Sequence, residues 1–285
     1  MRTNRNFLAA IVFAVCQTMA VGTVSWAQHS DVFVTNVAGT ATIGGANDLG
    51  TVDEHFDLTT HVFEGVMIPD FPPFDPADYG RDEPGFHAEP ASSLAFPVGA
   101  SALPGSAAVT VNLPSFTVAG NTDTLFYWDG SGAADFQPIS PAQPGVSLVF
   151  DPNPIGSTGA GGGLETHPVF ELDNGGAGVP ADGVYLIGPT VSVAGLTDSQ
   201  PFYMVWLVDA LLVDEDAAEE LEEALEMGQF VVHGKDFEFF EIAVDYVHEN
   251  LANVPEPSTA LLSAMAMVGL LGLNAGRREN QEVPL

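Results

Sequence analysis

The sequence predicts an all-β fold, a β-sandwich or jelly roll that carries one short acidic helix. Three observations predict it. Short apolar runs rich in Val, Phe, Ile and Leu recur along the chain. Its 30 glycines and 21 prolines punctuate those runs, at the spacing of roughly 8–12 residues that turns take in sandwiches. Within several runs apolar and polar residues alternate, which is the period of a strand with one buried face.

In chain order, Arg2 and Arg5 precede an apolar stretch at 7–16, and Ser25-Trp26-Ala27 offers a small-x-small cleavage site. This is the pattern of a signal peptide over 1–27, with Gln28 the expected first residue after cleavage. Cys16, the single cysteine, lies inside that stretch and follows Val15, where a lipoprotein box places a small residue. The chain from Gln28 onward therefore has no cysteine, which excludes disulfides and cysteine-ligated zinc there.

Residues 28–250 read as one sandwich domain. Residues 53–62 are expected to form a straight strand, with Phe56, Leu58 and Val62 inward and His55, Asp57, Thr59 and His61 outward. Residues 69–90 read as a long Pro/Asp-rich loop, and 151–163 and 174–181 as flexible glycine-rich loops. Residues 109–113 alternate cleanly until Pro114, and 125–128 end at the turn Asp129-Gly130. Residues 184–187 and 191–193 flank Gly188-Pro189, a bulge or a switch between sheets. Every residue of 202–208 is apolar, as in a central strand covered on both faces.

The acidic helix is expected to start at Asp214 as N-cap, with Glu215 and Asp216 at its positive end. Ala217, Leu221, Ala224 and Leu225 form its apolar stripe and Gly228 its stop. Glu222, Glu223 and Glu226 lie at the wrong end of the dipole, so the helix depends on packing or on cations. Residues 237–247 read as a last strand, with Phe240, Ile242, Val244 and Tyr246 on one face and Glu241 and Asp245 on the other.

The whole chain has 38 acidic and 6 basic residues, a formal charge of -32. Glu256, Glu279 and Glu282 are the acids of the C-terminal tail, which leaves 35 of the 38 between Gln28 and Asn253, against Arg81 and Lys235 alone. Such a surface repels phosphate backbones and anionic lipid, so nucleic acid is excluded as a partner. It attracts divalent cations and favours solubility.

The motifs of chemistry are few. His29-x-Asp31, His55-x-Asp57 and His87-x-Glu89 each put two donors on one side of an extended chain, and His61 and His167 also lie near acids. In a straight strand His55 and His61 stand about 20 Å apart and cannot share an ion; ordinary exposed strand polarity accounts for the same residues. Calcium is the cofactor that composition favours, because oxygen donors abound. Asp75, Asp78, Asp82 and Glu83 fall in one loop and Asp173, Asn174 and Asp182 around another, without EF-hand spacing. The candidate ligands are Asp75, Asp78, Asp82, Asp173, Asp182, His29 and His55. No G-x-S-x-G elbow, H-E-x-x-H helix or Walker loop occurs, and no catalytic residues are expected. Tyr127, Trp128, Tyr203 and Trp206 are read as core packing in preference to a sugar-stacking platform.

The tail carries the most specific pattern. Val254-Pro255-Glu256-Pro257-Ser258 introduces an apolar run at 260–273, which closes on Arg277-Arg278. A full span needs about 20 apolar residues, and 259–273 supplies fewer. The basic pair sets the cytoplasmic side. In the order of its parts, 254–278 resembles the PEP-CTERM sorting signal of bacterial surface proteins. That resemblance implies an exosortase-type protease as processing partner, transient membrane anchorage through the C-terminal hydrophobic helix, and delivery to the envelope or an exopolysaccharide-containing extracellular matrix. The expected function is that of an exported, surface-sorted, non-enzymatic structural or interaction protein. The alternative is a secreted calcium- or carbohydrate-binding module on a permanent single-pass anchor, with a secreted hydrolase third.

Overall fold

A computed structural model of the chain describes residues 30–47, 49, 55–69, 71, 79–175 and 179–252. The expected signal peptide, His29, Asp75, Asp78 and the tail from Val254 to Arg278 lie outside the described residues.

The body is a β-sandwich. Its larger sheet orders eight strands as β12 (Gln137–Pro138), β11 (Phe126–Trp128), β17 (Gly183–Ile187), β19 (Tyr203–Val208), β4 (Val62–Pro69), β5 (Tyr79–Arg81), β16 (Val169–Asp173) and β13 (Ser147–Asp151). Opposite it stands a six-stranded sheet. This contains β15 (Leu164–Thr166), β6 (Phe86–Ala88), β1 (Asp31–Val37), β2 (Thr40–Asn47) and β3 (His55–Phe56), with β7 (Ala100–Ser101) also on β1. A three-stranded sheet of β14 (Gly156–Ser157), β8 (Ala108–Asn112) and β18 (Thr190–Val193) completes that side. Two hairpins, β9 (Phe116–Val118) with β10 (Asn121–Asp123) and β20 (Val231–Val232) with β21 (Lys235–Asp236), lie apart from the main sheets. Pairing is antiparallel except for β1 with β6 and β4 with β19.

The main core fills the space between these layers. Val32, Val34 and Phe86 of the smaller sheet and Val109 and Val191 of the three-stranded one meet Phe63, Phe170, Tyr185 and Trp206 of the large sheet. Phe170 packs 4.9 Å from both Phe150 and Trp206, ring centre to ring centre. A second core covers the other face of the large sheet, where Val66, Phe126, Leu186, Val205 and Leu207 meet two helices, α1 (Glu215–Glu226) and α2 (Glu238–Val247). Burial on both faces is why β17 and β19 read as unbroken apolar runs. Trp128 and Trp206 are buried, one in each core, as expected. Gly188-Pro189 makes a sheet switch, carrying the chain from β17 in the large sheet to β18 in the three-stranded one.

Four expectations need correction. First, residues 238–247 form a helix, where a last strand was expected. Phe240, Ala243, Val244 and Val247 are its buried residues, spaced for one helical face. Ile242, expected to share a strand face with Phe240 and Val244, is 40% exposed. A helix covers the apolar outer face of β19 and β4 more broadly than one strand can. Second, residues 53–62 are not one strand: β3 ends at Phe56 and β4 starts at Val62. Between them the Asp57 carboxylate accepts the backbone N–H of Thr59 at 2.6 Å and of Thr60 at 2.7 Å, and both threonine hydroxyls. These bonds close an Asx-type turn. Third, 69–90 contains β5 and β6, and 151–163 contains β14. The latter segment is tied down by buried Thr158, whose hydroxyl accepts the Ala107 N–H at 2.8 Å and donates to the Pro104 carbonyl at 2.6 Å. Fourth, the stripe of α1 uses Ala218 in place of Ala217, beside Leu221, Ala224 and Leu225. Its N-cap is as expected, with Asp214 accepting the Ala217 N–H at 3.0 Å.

The two bases of the body have specific partners. Among the described residues the buried charged side chains are Arg81, Asp209 and Glu222. Arg81 lies 3.3 Å from Glu222 of α1, and Lys235 pairs with Asp209. Each base therefore offsets a buried acid, because an isolated buried carboxylate is strongly disfavoured. No helix among the described residues is long and apolar enough to cross a membrane.

Candidate metal centre

The site forms where β1, β6 and β15 lie side by side. Alternation along these strands turns Val32, Phe86 and Leu164 into the main core. Asp31, Phe33, His87, Glu165 and His167 accordingly take the opposite face. The registers Val32↔Phe86 and Thr166↔Phe86, continued by one residue, set Asp31 and His167 on either side of Gly85. Glycine leaves the space between them open: a Cβ would lie 2.6 Å from His167 Cε1 and 3.0 Å from Asp31 Oδ1, so both side chains would have to shift. With no side chain between them, the two meet across the middle strand. The ligand atoms of Asp31, Glu165 and His167 all lie within 4.8 Å of one another. Glu165 Oε1 stands 3.6 Å from His167 Nε2.

Neighbouring groups hold these side chains in place. The Asp31 Oδ1 atom accepts the Gly85 N–H at 2.7 Å. Glu165 turns its second oxygen to His87 Nδ1 at 2.5 Å, while His87 Nε2 meets Glu89 at 2.8 Å. The His87 ring also stacks on Phe56, with centres 5.3 Å apart, and Phe56 stacks on Phe33 at 4.6 Å. Burial alone lowers the imidazole's affinity for a proton, but the two carboxylates outweigh it and raise the His87 pKa. The Asp31 carboxyl is raised chiefly by burial. Gly85 and His167 oppose that shift, and the charges of Glu165 and Glu83 add to it. A cleft of about 170 Å³ opens beside Asp31 and His167, with Glu64 and Glu83 in its wall.

Of the residues expected to bind metal, those described by the structure lie elsewhere. His55 Nε2 is 3.1 Å from Asn47 Nδ2. Asp173 accepts the Gly175 N–H at 2.6 Å, and Asp182 accepts the Ala210 N–H at 3.0 Å and lies 3.9 Å from Lys235. Asp82, Asp173, Asp182 and His55 join no three-donor group among the described residues. Asp31, His87 and Glu89 are visible in the sequence as members of i, i+2 donor pairs; His167 is visible only as a histidine near acids, although Glu165-x-His167 carries the same spacing. A larger cleft of about 500 Å³ runs past Thr40, Ile43, His61 and Gln200. Among the described residues His61 is the one ionisable group in its wall, so they form no acid–base pair there.

Comparison of the chain with protein-family models, with curated proteins and with solved structures finds no match. Chemically, the arrangement brings together one imidazole nitrogen and two carboxylate oxygens, with Asp31 and His167 in the wall of a cleft. That donor set suits a divalent cation.

Proposed function

We propose that the chain is an exported, surface-sorted, non-enzymatic protein of the cell envelope or extracellular matrix, processed by an exosortase-type protease. The observation that carries this reading is the succession of Val254-Pro255-Glu256-Pro257-Ser258, the apolar run and Arg277-Arg278 at one end, with a signal-peptide pattern at the other. Two features of the body support it. The chain beyond Gln28 is free of cysteine and strongly acidic, which suits an oxidising, hydrated exterior. The described packing runs to Leu251 and Ala252, which rest against the second core, so a cut at the Pro-Glu-Pro box removes none of it.

The test is to express the full chain in an exosortase-bearing host, fractionate the cells and measure the intact mass of the product. The expected species begins near Gln28, ends near Pro255-Glu256-Pro257 and lies outside the inner membrane. A membrane-bound species that retains Arg277-Arg278 would overturn the reading in favour of a permanent anchor.

A further inference from the structure

We propose that Asp31, Glu165 and His167 bind one zinc-class divalent ion across the gap left by Gly85. This inference is independent of how the tail is processed. The Glu165–His167 separation of 3.6 Å is close to the edge of a tetrahedral zinc site, about 3.4 Å for bonds near 2.1 Å. Asp31 needs only a small closing movement to complete the triangle, since all three donor atoms already fall within 4.8 Å. The cleft beside them, about 170 Å³, has room for the ion and several waters, each occupying roughly 30 Å³. Water therefore completes the coordination.

The orientation of Glu165 is the strongest mark of a prepared site. One of its oxygens is tied to His87, whose other nitrogen is tied to Glu89 and whose ring is stacked on Phe56. The remaining oxygen is thereby turned toward His167. Outer partners of this kind fix a ligand before the ion arrives.

The donor types choose the ion. Calcium takes about 6–8 oxygen ligands and has little use for imidazole. One nitrogen with two carboxylates favours a borderline ion, and zinc stands above manganese in intrinsic affinity. At this place in the fold the donor set therefore favours zinc over calcium.

The experiment is a calorimetric titration of the purified full chain with zinc chloride, and separately with calcium chloride. The parent should bind one zinc ion at a distinct high-affinity step, which calcium does not displace. Exposed His167→Ala should weaken that step at least about tenfold, and His87→Gln, which removes the orienting partner, by about 10–100-fold. Gly85→Ala should weaken the step by displacing the His167 and Asp31 side chains, with circular dichroism and melting temperature reporting that the fold is kept. His61→Ala, which alters an imidazole away from the site, should leave it unchanged. Equal zinc binding by the parent and His167→Ala, or displacement of zinc by calcium, would overturn the proposal.

Discussion

Removing the positive charge of Arg81 tests whether α1 is held by an ion pair as well as by packing. Arg81 and Glu222 are 3% and 8% exposed, and Arg81 Nη2 lies 3.3 Å from Glu222 Oε2. At that separation the attraction is about 5 kcal/mol for an effective dielectric near 20. Glu222 also accepts the Val66 N–H at 3.1 Å, so its carboxylate cannot leave without uncoupling α1 from β4. Arg81→Met strands the acid in the second core, and breaking a buried pair from one side costs about 3–5 kcal/mol. Glu222→Gln should cost less, about 1–3 kcal/mol, because the amide oxygen still accepts from Val66 and Arg81 keeps half-exposed Glu83 at 3.3 Å. Arg81 Nε and Nη1 find no hydrogen-bond partner among the described residues, so the cation is itself imperfectly compensated. The double variant should therefore cost no more than Arg81→Met alone, a coupling of at least about 1 kcal/mol. Urea unfolding followed by the fluorescence of Trp128 and Trp206 measures all three, with the slope checked for constancy. If Arg81→Met costs under about 1 kcal/mol, or if the single losses simply add in the double variant, the pair does not hold the helix.

Two further outcomes concern pH. Burial tends to raise the Asp57 carboxyl, but the hydrogen bonds from Thr59 and Thr60 outweigh it and hold the pKa below the usual carboxylate range. Its stabilisation is therefore present above the unfolded pKa and lost as pH falls through the lower folded value. Asp57→Ala should cost about 1–2 kcal/mol at neutral pH, after allowance for its partial exposure. That cost should shrink on acidification, and a cost independent of pH in urea melts would refute the assignment. In α2, burial and then Asp245 raise the Glu241 pKa, so ionising Glu241 destabilises the fold. Glu241→Gln should raise the melting temperature at neutral pH by the equivalent of a few tenths of a kcal/mol. No gain should remain near pH 3, where the carboxyl is protonated in both states; a gain of equal size at both pH values would point to packing instead.

How much of this fold was legible depended on how far each element's pattern relies on distant partners. Residues 202–208 read correctly because a strand apolar at every position must be covered on both faces, whatever does the covering. The cap at Asp214 and the stop at Gly228 were equally local, and Gly228 does take a positive φ of 70°. Residues 238–247 were misread because Phe240 and Val244 satisfy a strand period and a helix period together. Ala243 and Val247 decide between them, and their burial depends on the exposed face of β19 and β4 that the segment covers. Glu222 was placed on the helix correctly, but its role was not: nothing nearby in sequence announces Arg81.

Composition and local pattern alone determined that the body is an acidic, cysteine-free chain with the strand patterning of a sandwich, and they supplied the signal-peptide and tail patterns on which the sorting proposal rests. Only the tertiary structure decided where its few cations go and which acids come together. Asp31, Gly85 and His167 are far apart in the chain and adjacent through the registers of β1, β6 and β15. A period-2 pattern tells which face of a strand a side chain takes. It carries no information about which residue stands opposite, because pairing register is set by long-range packing of the whole sheet.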